Sequence, residues 1–383
     1  MQSFDKADLK AANERVVLTL IHREPGISRH EVAKRSDLSP AAITGISARL
    51  IAAGLIREDS TESQGKLGRR PTALRIIADS RLVAAVEITT FGATVALAGL
   101  DGEITQQECI AFDDDPNRFL AAIHSTTLQL VNHGPGRVLG VGVSVPGTMD
   151  PETGRVIAST NLHWRDVDAI ALLKPGIVQP VFWENNSNLS AMAERWFRPV
   201  SLPPLDDFVF VTLRVGLGTG LIVNGKLARG ARAHAGEWGH ATFWPDGLKC
   251  QCDNQGCWEE YASDRALIRE YGLPSATSTQ IAERAMQGEA RAKAAIEQVA
   301  EALGIGLVNI AMALNPAAIA LDDFAATAWP IVEPVLWRVL RERVPGYWLS
   351  GLQVFPSRQT PLKGAIASVL SHYFDGSLGR VIG

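Results

Sequence analysis

The chain of 383 residues contains few cysteines and tyrosines, four of each, and aromatic residues make up only 7% of it. So little cysteine excludes a small secreted scaffold stapled by disulfides. The first ten residues do not resemble a signal peptide, and no uninterrupted apolar run reaches the length of a membrane span. The sequence therefore predicts a soluble, cytoplasmic protein with reduced thiols and no membrane insertion. At 46% hydrophobic residues, it is long enough for two or three domains with their own cores.

Three of the four cysteines lie close together and near a histidine. His240, Cys250, Cys252 and Cys257 follow the spacing His-x9-Cys-x-Cys-x4-Cys, which supplies the four tetrahedral ligands of a structural zinc site. The intervening residues are polar and turn-forming and could not bury a core, so a metal would order them. Unrelated free thiols are the alternative, since a disulfide between Cys250 and Cys252 would close too small a ring. The spacing predicts one structural zinc ion per chain.

Charge is distributed unevenly along the chain. Residues 1–78 carry 13 Lys and Arg against 9 Asp and Glu, a net charge of +4, which leaves −8 for the remainder. Apolar periodicity predicts a helix over residues 13–22, and a capping box formed by Ser28 and Glu31 begins a second helix. Ser39-Pro40 begins a third as N-cap and first helical residue. Helix, tight turn and helix is the helix-turn-helix pattern, and a basic head suits contact with phosphates.

The third helix and the segment after it carry residues suited to contact with DNA. Small and hydroxyl side chains at the start of a recognition helix allow close approach to base edges in a major groove. Predicted strands at 55–58 and 72–76 flank a basic tip that suits phosphate or minor-groove contact, so the head resembles a winged helix-turn-helix. A small helical interaction domain with a solvated charged loop is the alternative. The predicted DNA contacts are Ser39, Ala41, Thr44, Ser47, Arg49, Lys66, Arg69 and Arg70.

From Arg81 onward, apolar strands alternate with helices, an order that indicates an α/β body. A second such unit begins near Leu189, so two lobes with a cleft between them are expected. The predicted domains are a head over 1–78, a first lobe over 79–188 completed by a C-terminal helix at about 361–383, and a second lobe over 189–360 with its zinc knuckle at 240–257.

Loops along the body carry a specific set of motifs. Gly236-Glu237-Trp238-Gly239-His240 precedes the three cysteines and Trp258-Glu259, and further motifs lie at 144–147, 161–164, 184–186, 220–230 and 314–316. Together they resemble the signature of the ROK family (repressors, open reading frames and sugar kinases), in particular its sugar-responsive repressors with a winged head. The resemblance covers nearly the whole chain. It implies a two-lobed, actin-like (ribonuclease-H-like) body in which the zinc knuckle supports a sugar site.

By this resemblance, a set of polar side chains faces the sugar, and His240 serves both zinc and ligand. Carboxylate and amide groups supply the paired donors and acceptors that sugar hydroxyls require. A histidine bound to zinc through one ring nitrogen can donate to a hydroxyl with the other. For Glu237 a plain surface carboxylate is the alternative, although the neighbouring glycines favour a close-packed loop. The implied sugar-binding residues are Asn185, Asn186, Glu237, His240 and Glu259.

The chain departs from the family's kinases at four motifs. Asn186 replaces the Asp that acts as base on the sugar hydroxyl, and an amide cannot accept that proton. The first phosphate motif reads Glu87-Ile88-Thr89-Thr90-Phe91, without the glycines that let backbone N–H groups approach a phosphate. The second reads Arg214-Val215-Gly216-Leu217-Gly218, and a Gly-Gly pair has become Asp322-Asp323. These losses predict no ATP binding and no catalytic residue.

The sequence thus predicts a DNA-binding transcriptional repressor whose sugar-kinase-like body has lost catalysis and senses a sugar or sugar derivative. A homodimer or homotetramer would bind a double-stranded operator with the symmetry of an inverted repeat. An active ATP-dependent sugar kinase with a DNA-binding head is the alternative. A body that senses a sugar-transport protein is a third hypothesis, which the family's range allows.

Overall fold

The computed structural model describes residues 6–60, 72–150 and 153–382, which form a winged head and two α/β lobes. In the head, three helices precede a β-hairpin, and a short strand before the second helix joins that hairpin in the order β1-β3-β2. These elements are α1 (Lys6–Arg23), β1 (Ile27–Ser28), α2 (Arg29–Ser36), α3 (Pro40–Ala52), β2 (Ile56–Ser60) and β3 (Thr72–Ile76).

Local side-chain caps begin the second and third helices of the head, as predicted. The Ser28 hydroxyl accepts a hydrogen bond from the Glu31 N–H (3.3 Å), and the Glu31 carboxylate accepts one from the Ser28 N–H (2.9 Å). Ser39 caps α3 by accepting from the Ala42 N–H at 3.2 Å, with Pro40 as the first helical residue. Helix α1 begins seven residues earlier than the predicted range of 13–22, because its first turns have helix-forming residues but no apolar periodicity.

Each lobe contains a five-stranded sheet, and the two sheets have the same strand order. In lobe 1, an antiparallel meander of three strands is extended by two parallel strands, in the order β11-β7-β4-β5-β6. The strands are β4 (Leu82–Thr89), β5 (Gly92–Gly99), β6 (Ile104–Ala111), β7 (Val138–Val145) and β11 (Val181–Asn185). Beside them lies a small sheet of β8 (Thr148–Met149), β9 (Val156–Ser159) and β10 (Trp164–Val167).

Lobe 2 repeats this pattern as β16-β15-β12-β13-β14. Its strands are β12 (Phe208–Leu213), β13 (Leu217–Val223), β14 (Lys226–Leu227), β15 (Ala318–Leu321) and β16 (Gln353–Pro356). The remaining helices are α4 (Pro116–His133), α5 (Ala169–Leu173), α6 (Asn186–Trp196), α7 (Asp264–Tyr271), α8 (Ser278–Met286), α9 (Ala290–Leu314), α10 (Asp323–Thr327), α11 (Trp329–Arg343) and α12 (Pro361–Asp375). The repeated order places the ends of β4 and β12 at equivalent positions on the two sides of one cleft.

Helix α9 is, within the described residues, the one helix long and apolar enough to cross a membrane by length and composition. Its apolar side chains, among them Ile296, Leu303 and Leu307, are instead buried in the core of lobe 2 against α8 and α11. Packing inside the lobe therefore accounts for its composition.

Helices α6 and α12 cross in close contact between the sheets. A Cβ atom at Gly364 would collide with the backbone of Leu189, so only glycine allows the two helices to approach this closely. Helix α12 also packs against β4 and β7 of lobe 1. Among the strands, helix α6 packs chiefly against β12 and β13 of lobe 2, so the two helices together join the sheets of both lobes. The domain boundaries at 78, 188 and 360 remain predictions.

The head is docked on the far ends of these two helices. The ring of His22 in α1 packs against Trp196 at the end of α6 (5.5 Å between centroids) and Phe374 in α12 (4.7 Å). Burial lowers the pKa of His22 to about 4, so the imidazole is neutral among these rings. The Arg15 guanidinium lies beside Gly376, the residue that caps the C-terminus of α12. One apolar cluster consequently runs from the head into lobe 1.

Candidate functional site

A cavity of about 490 Å³ opens between the two lobes. Lobe 1 contributes the ends of β4, β7 and β11, and lobe 2 contributes the β12–β13 turn and the segment that carries the cysteines. The cavity brings together all five residues that the family resemblance implied as sugar-facing, although sugar binding by them stays a prediction. They are Asn185, Asn186, Glu237, His240 and Glu259.

Asn185 and Asn186 stand where β11 ends and α6 begins. The side-chain oxygen Oδ1 of Asn185 caps α6 by accepting a hydrogen bond from the Ser187 N–H at 2.8 Å. The side-chain nitrogen Nδ2 donates to the Gly147 backbone carbonyl at 2.9 Å. Each polar atom of Asn185 keeps capacity for one more hydrogen bond. The Asn186 side chain makes no hydrogen bond within the described part of the chain. Two amides are therefore positioned at the cavity with donors and acceptors available.

Glu259 connects the cavity to the cysteine segment. Its carboxylate is buried, and it accepts from the Cys250 thiol at 3.0 Å and from the Leu217 N–H at 3.4 Å. It also lies 3.6 Å from Nδ1 of His240. Glu237 is more open, and partial desolvation by the cavity walls raises the pKa of its carboxyl above the usual value. Both carboxylates are placed to accept hydrogen bonds from hydroxyl groups.

His240, Cys250, Cys252 and Cys257 are brought together and could hold a metal ion, since their ligand atoms all lie within 4.8 Å of one another. The Cys252 and Cys257 sulfurs are 3.6 Å apart, and the Cys250 sulfur is 3.7 Å from Nδ1 of His240. Neighbouring ligands of a tetrahedral ion with metal–sulfur bonds of about 2.3 Å are about 3.8 Å apart. Burial raises the pKa of the Cys250 and Cys257 thiols, so a cation would be needed to stabilise the thiolates.

The altered phosphate motifs line the same cavity, and charged groups fill part of it. Nη1 of Arg214, beside the β12–β13 turn, lies 3.3 Å from the Glu87 carboxylate of β4, and its Nε lies 3.8 Å from Asp322. Burial raises the pKa of Asp322 to about 7 and that of Asp264 to about 8. Phe91, at the tip of the β4–β5 turn, is 85% exposed. The sequence indicated the altered motifs but not the ion pair that joins them.

The head places some of the predicted DNA contacts on its surface. Ser39, Ala41 and Thr44 are exposed on the first turns of α3. The structure contradicts the predicted DNA contact at Ser47. This side chain is completely buried, because on a helix it shares the inner face with Ile43 and Leu50. Its predicted place near base edges is therefore wrong. Arg49 is half-exposed, and its Nε donates to the buried Glu14 of α1. Lys66, Arg69 and Arg70 lie outside the described residues.

Several cavity residues were not assigned from the sequence, including the following three. Asn161 and Arg165 reach the cavity from the small sheet region, and His234 reaches it from the loop before Glu237. Asn161 lies in the family motif at 161–164, which was the available signal. For Arg165 and His234 no local pattern distinguished them from surface residues.

Comparison with known proteins gives matches to both parts of the chain. The model of the ROK family matches residues 83–344, and that of the MarR family matches residues 12–64. A xylose repressor from Caldicellulosiruptor bescii is 28% identical over 356 residues, 88% of each chain. The DNA-binding transcriptional dual regulator NagC of Escherichia coli is 28% identical over 326 residues, 80% of this chain and 78% of that protein. A crystal structure of a ROK family transcriptional regulator, a homologue of the E. coli MLC protein, superposes with a TM-score of 0.77 at 25% identity, covering 97% of this chain and 98% of that one.

Proposed function

The chain belongs to the ROK family, and from this premise we propose that it is a DNA-binding transcriptional repressor whose two-lobed body senses a sugar. The match of residues 12–64 to the MarR family supports DNA binding by the winged head. Relatives that align with 80% or more of the chain are named as a xylose repressor and as the regulator NagC. Operators are cytoplasmic targets, so the protein acts in the cytoplasm.

The observation that carries this proposal is the path of helix α6. The helix begins at Asn186, beside the N-cap Asn185 in the cavity, and ends at Trp196, which packs on His22 of the head. Eleven helical residues span about 16 Å at 1.5 Å per residue, without a break. A ligand that draws the lobes together would thus shift the base on which the head rests. Operator affinity follows if the two arrangements bind DNA unequally.

In the proposed sugar site, amides and carboxylates divide the recognition of hydroxyl groups. The Asn185 and Asn186 amides donate and accept, and the Glu237 and Glu259 carboxylates accept from sugar hydroxyls. His240 donates from the ring nitrogen that does not face the cysteines. A site built to hydrogen-bond hydroxyls discriminates strongly against analogues that lack them, because its own polar groups would be left unpaired.

For the cysteine cluster, the proposal is one zinc ion per chain bound by His240, Cys250, Cys252 and Cys257. The donor set and the separations of the ligand atoms support zinc over a hard cation, which would prefer oxygen ligands. When bound, the ion would supply a fixed structural cross-link. It would thereby hold the loop of Glu237 and His240 and the adjacent Glu259 against the cavity.

The proposed body does not phosphorylate its sugar. At Asn186 an amide stands in place of a base, and Phe91 and Arg214 occupy turns that would have to admit phosphate. The alternative is an active ATP-dependent sugar kinase with a DNA-binding head. A phosphate-transfer assay with purified protein distinguishes this kinase from a non-catalytic sensor. Turnover that disappears in a cavity variant of the same preparation would establish the kinase.

On DNA, the proposed complex is a homodimer or homotetramer on an inverted repeat. Ser39, Ala41 and Thr44 would approach base edges, and Lys66, Arg69 and Arg70 would contact phosphate or minor groove. A sugar-transport protein as effector is the further partner hypothesis, and a pull-down with transporter domains addresses it.

A paired binding experiment tests the proposal. Thermal unfolding is measured with D-xylose, D-glucose, N-acetyl-D-glucosamine and the 6-phosphates of the last two, because a ligand of the folded state raises its stability, by about 2.7 kcal/mol at 100 times Kd. The stabilising sugar should then change the affinity for an operator located by footprinting upstream of the gene. Glu237→Gln should remove the sugar response and keep DNA binding, and Glu297→Gln on the exposed face of α9 should change neither. Specific binding of neither sugar nor DNA would contradict the proposal.

A further inference from the structure

An ion pair crosses the cleft at the altered phosphate motifs. Arg214 follows β12 in lobe 2, and its guanidinium lies 3.3 Å from the carboxylate of Glu87 in β4 of lobe 1. The two residues are 127 positions apart in the sequence and both line the cavity. The side chain of Glu87 is largely buried, and that of Arg214 is about one third exposed. The two lobes are therefore linked by an ion pair whose carboxylate is largely shielded from water.

Arg214 is also the cation shared by three more carboxyl groups. Asp322 accepts from the Leu213 N–H at 2.8 Å with one oxygen, and its other oxygen lies 3.8 Å from the Arg214 Nε without a hydrogen-bond partner in the described structure. Burial raises the pKa of Glu87, Asp264, Asp322 and Asp323, and the charge of Arg214 opposes that rise in all four. Without the guanidinium, these four carboxyl groups would have no basic side chain within ion-pair distance in the described part of the chain.

The turn that begins with Arg214 also contacts Glu259, one of the residues proposed to bind the sugar. The Leu217 N–H in this turn donates to the Glu259 carboxylate at 3.4 Å. Gly216 lies so close to that carboxylate that a Cβ atom there would collide with it. The Arg214 carbonyl in turn accepts from the Asp264 N–H at 3.1 Å. The turn of Arg214 therefore contacts Glu259 directly, together with the Arg265 guanidinium and the Cys250 thiol.

We propose that Arg214 is a positioning residue for sugar binding. Its pairing with Glu87 across the cleft holds Glu259 of lobe 2 at a set distance from Asn185 and Asn186 of lobe 1. A side chain of the protein itself thereby supplies the charge that joins the lobes at these two turns. The inference rests on the proposed function only in taking a sugar as the ligand.

The cross-cleft pairing is tested first without sugar, by a double-mutant cycle of Glu87→Gln and Arg214→Gln in thermal unfolding between pH 5.5 and 8.5. Arg214→Gln should lower the melting temperature more as the pH rises, because the uncompensated carboxyls resist ionisation. The double variant should lose less than the sum of the single losses. Arg338→Gln, which breaks a surface pair with Glu301, should show a small loss that does not change over this range. Additive losses, or an Arg214→Gln profile like that of Arg338→Gln, would overturn the pairing.

The positioning role is then tested by calorimetric titration with D-xylose, D-glucose and N-acetyl-D-glucosamine at pH 7.5. Arg214→Gln should weaken binding of the sugar that the wild-type protein takes by about 5- to 50-fold, in the range of ordinary site-to-site coupling. Arg214→Lys should restore most of the affinity, and Arg338→Gln should leave it unchanged. If Arg214→Gln does not fold, Glu87→Gln serves with the same expectation.

A dissociation constant within twofold of wild type in both cleft variants would overturn the positioning role. Should the wild-type protein bind none of the three sugars while the cycle shows coupling, the sugar assignment fails and the cross-cleft pairing is supported.

Discussion

Arg49→Ala should destabilise the head by removing the counter-charge of a buried carboxylate. Glu14 in α1 is almost fully buried, and the Nε of Arg49 in α3 donates to it at 2.7 Å. Breaking a buried ion pair from one side costs about 3–5 kcal/mol. The Arg49 side chain is 39% exposed, so water can replace part of the lost interaction. We therefore expect a loss of about 2–3 kcal/mol in the free energy of unfolding.

Urea denaturation of the full chain measures this loss, with two companion variants. Glu14→Gln combined with Arg49→Ala leaves no buried charge and should recover at least half of it. Arg57→Ala breaks a surface pair with Asp59 on the wing and should cost less than about 1 kcal/mol. If Arg49→Ala costs no more than Arg57→Ala, or the double variant is as unstable as the single one, the reasoning is refuted.

The same variant separates the structural role of Arg49 from the DNA contact predicted from sequence. Below the unfolding transition, operator affinity can be measured as a function of salt concentration. A phosphate contact by the outer guanidinium nitrogens would reduce the salt slope by about one unit in Arg49→Ala. An unchanged slope with reduced stability would assign Arg49 to helix packing alone.

Three further outcomes are expected. Metal analysis of protein purified without added metal should find one zinc per chain, lost in Cys257→Ser; near-zero metal in folded wild type would contradict the site. Asn186→Asp should create no sugar phosphorylation with ATP, because the phosphate turns stay altered, and measurable turnover would refute that account. Asp322 and Asp264 should contribute a loss of stability as the pH rises from about 4 to 8, since their folded-state pKa values (about 7 and about 8) lie above the ordinary ones, whereas the lowered pKa of His22 contributes in the opposite direction up to about pH 6.5. Asp322→Asn should flatten this profile in unfolding measurements, and an unchanged slope would count against it.

Much of the head could be predicted because its signals are local. The Ser28 capping box and the Ser39-Pro40 start act within one helical turn, so sequence spacing alone specifies them. The cysteine cluster is equally local, as all its ligands fall within eighteen residues. The burial of Ser47 was missed because a small hydroxyl side chain gives no apolar signal, although its spacing from Ile43 and Leu50 places it on the inner face.

The contacts that local patterns could not supply are those between distant segments. Glu14 and Arg49 are 35 residues apart, and Glu87 and Arg214 are 127 apart, so only the folded chain shows which charge meets which. The docking of His22 between Trp196 and Phe374 depends on three segments meeting at once. Family motifs indicated which polar residues would line the cavity. The ion pair across the cavity lies where this chain departs from the kinases, so no family motif could predict it.

The shared apolar cluster of head and lobe 1 has a consequence for exchange of parts between regulators. A head that is cut away at its boundary leaves Trp196 and Phe374 without their partner His22 and exposes apolar surface on both fragments. The structural unit that must be transferred intact is therefore the head together with the ends of α6 and α12. A chimera that joins this head to another sensor body should fold and respond only when that three-part contact is transferred whole.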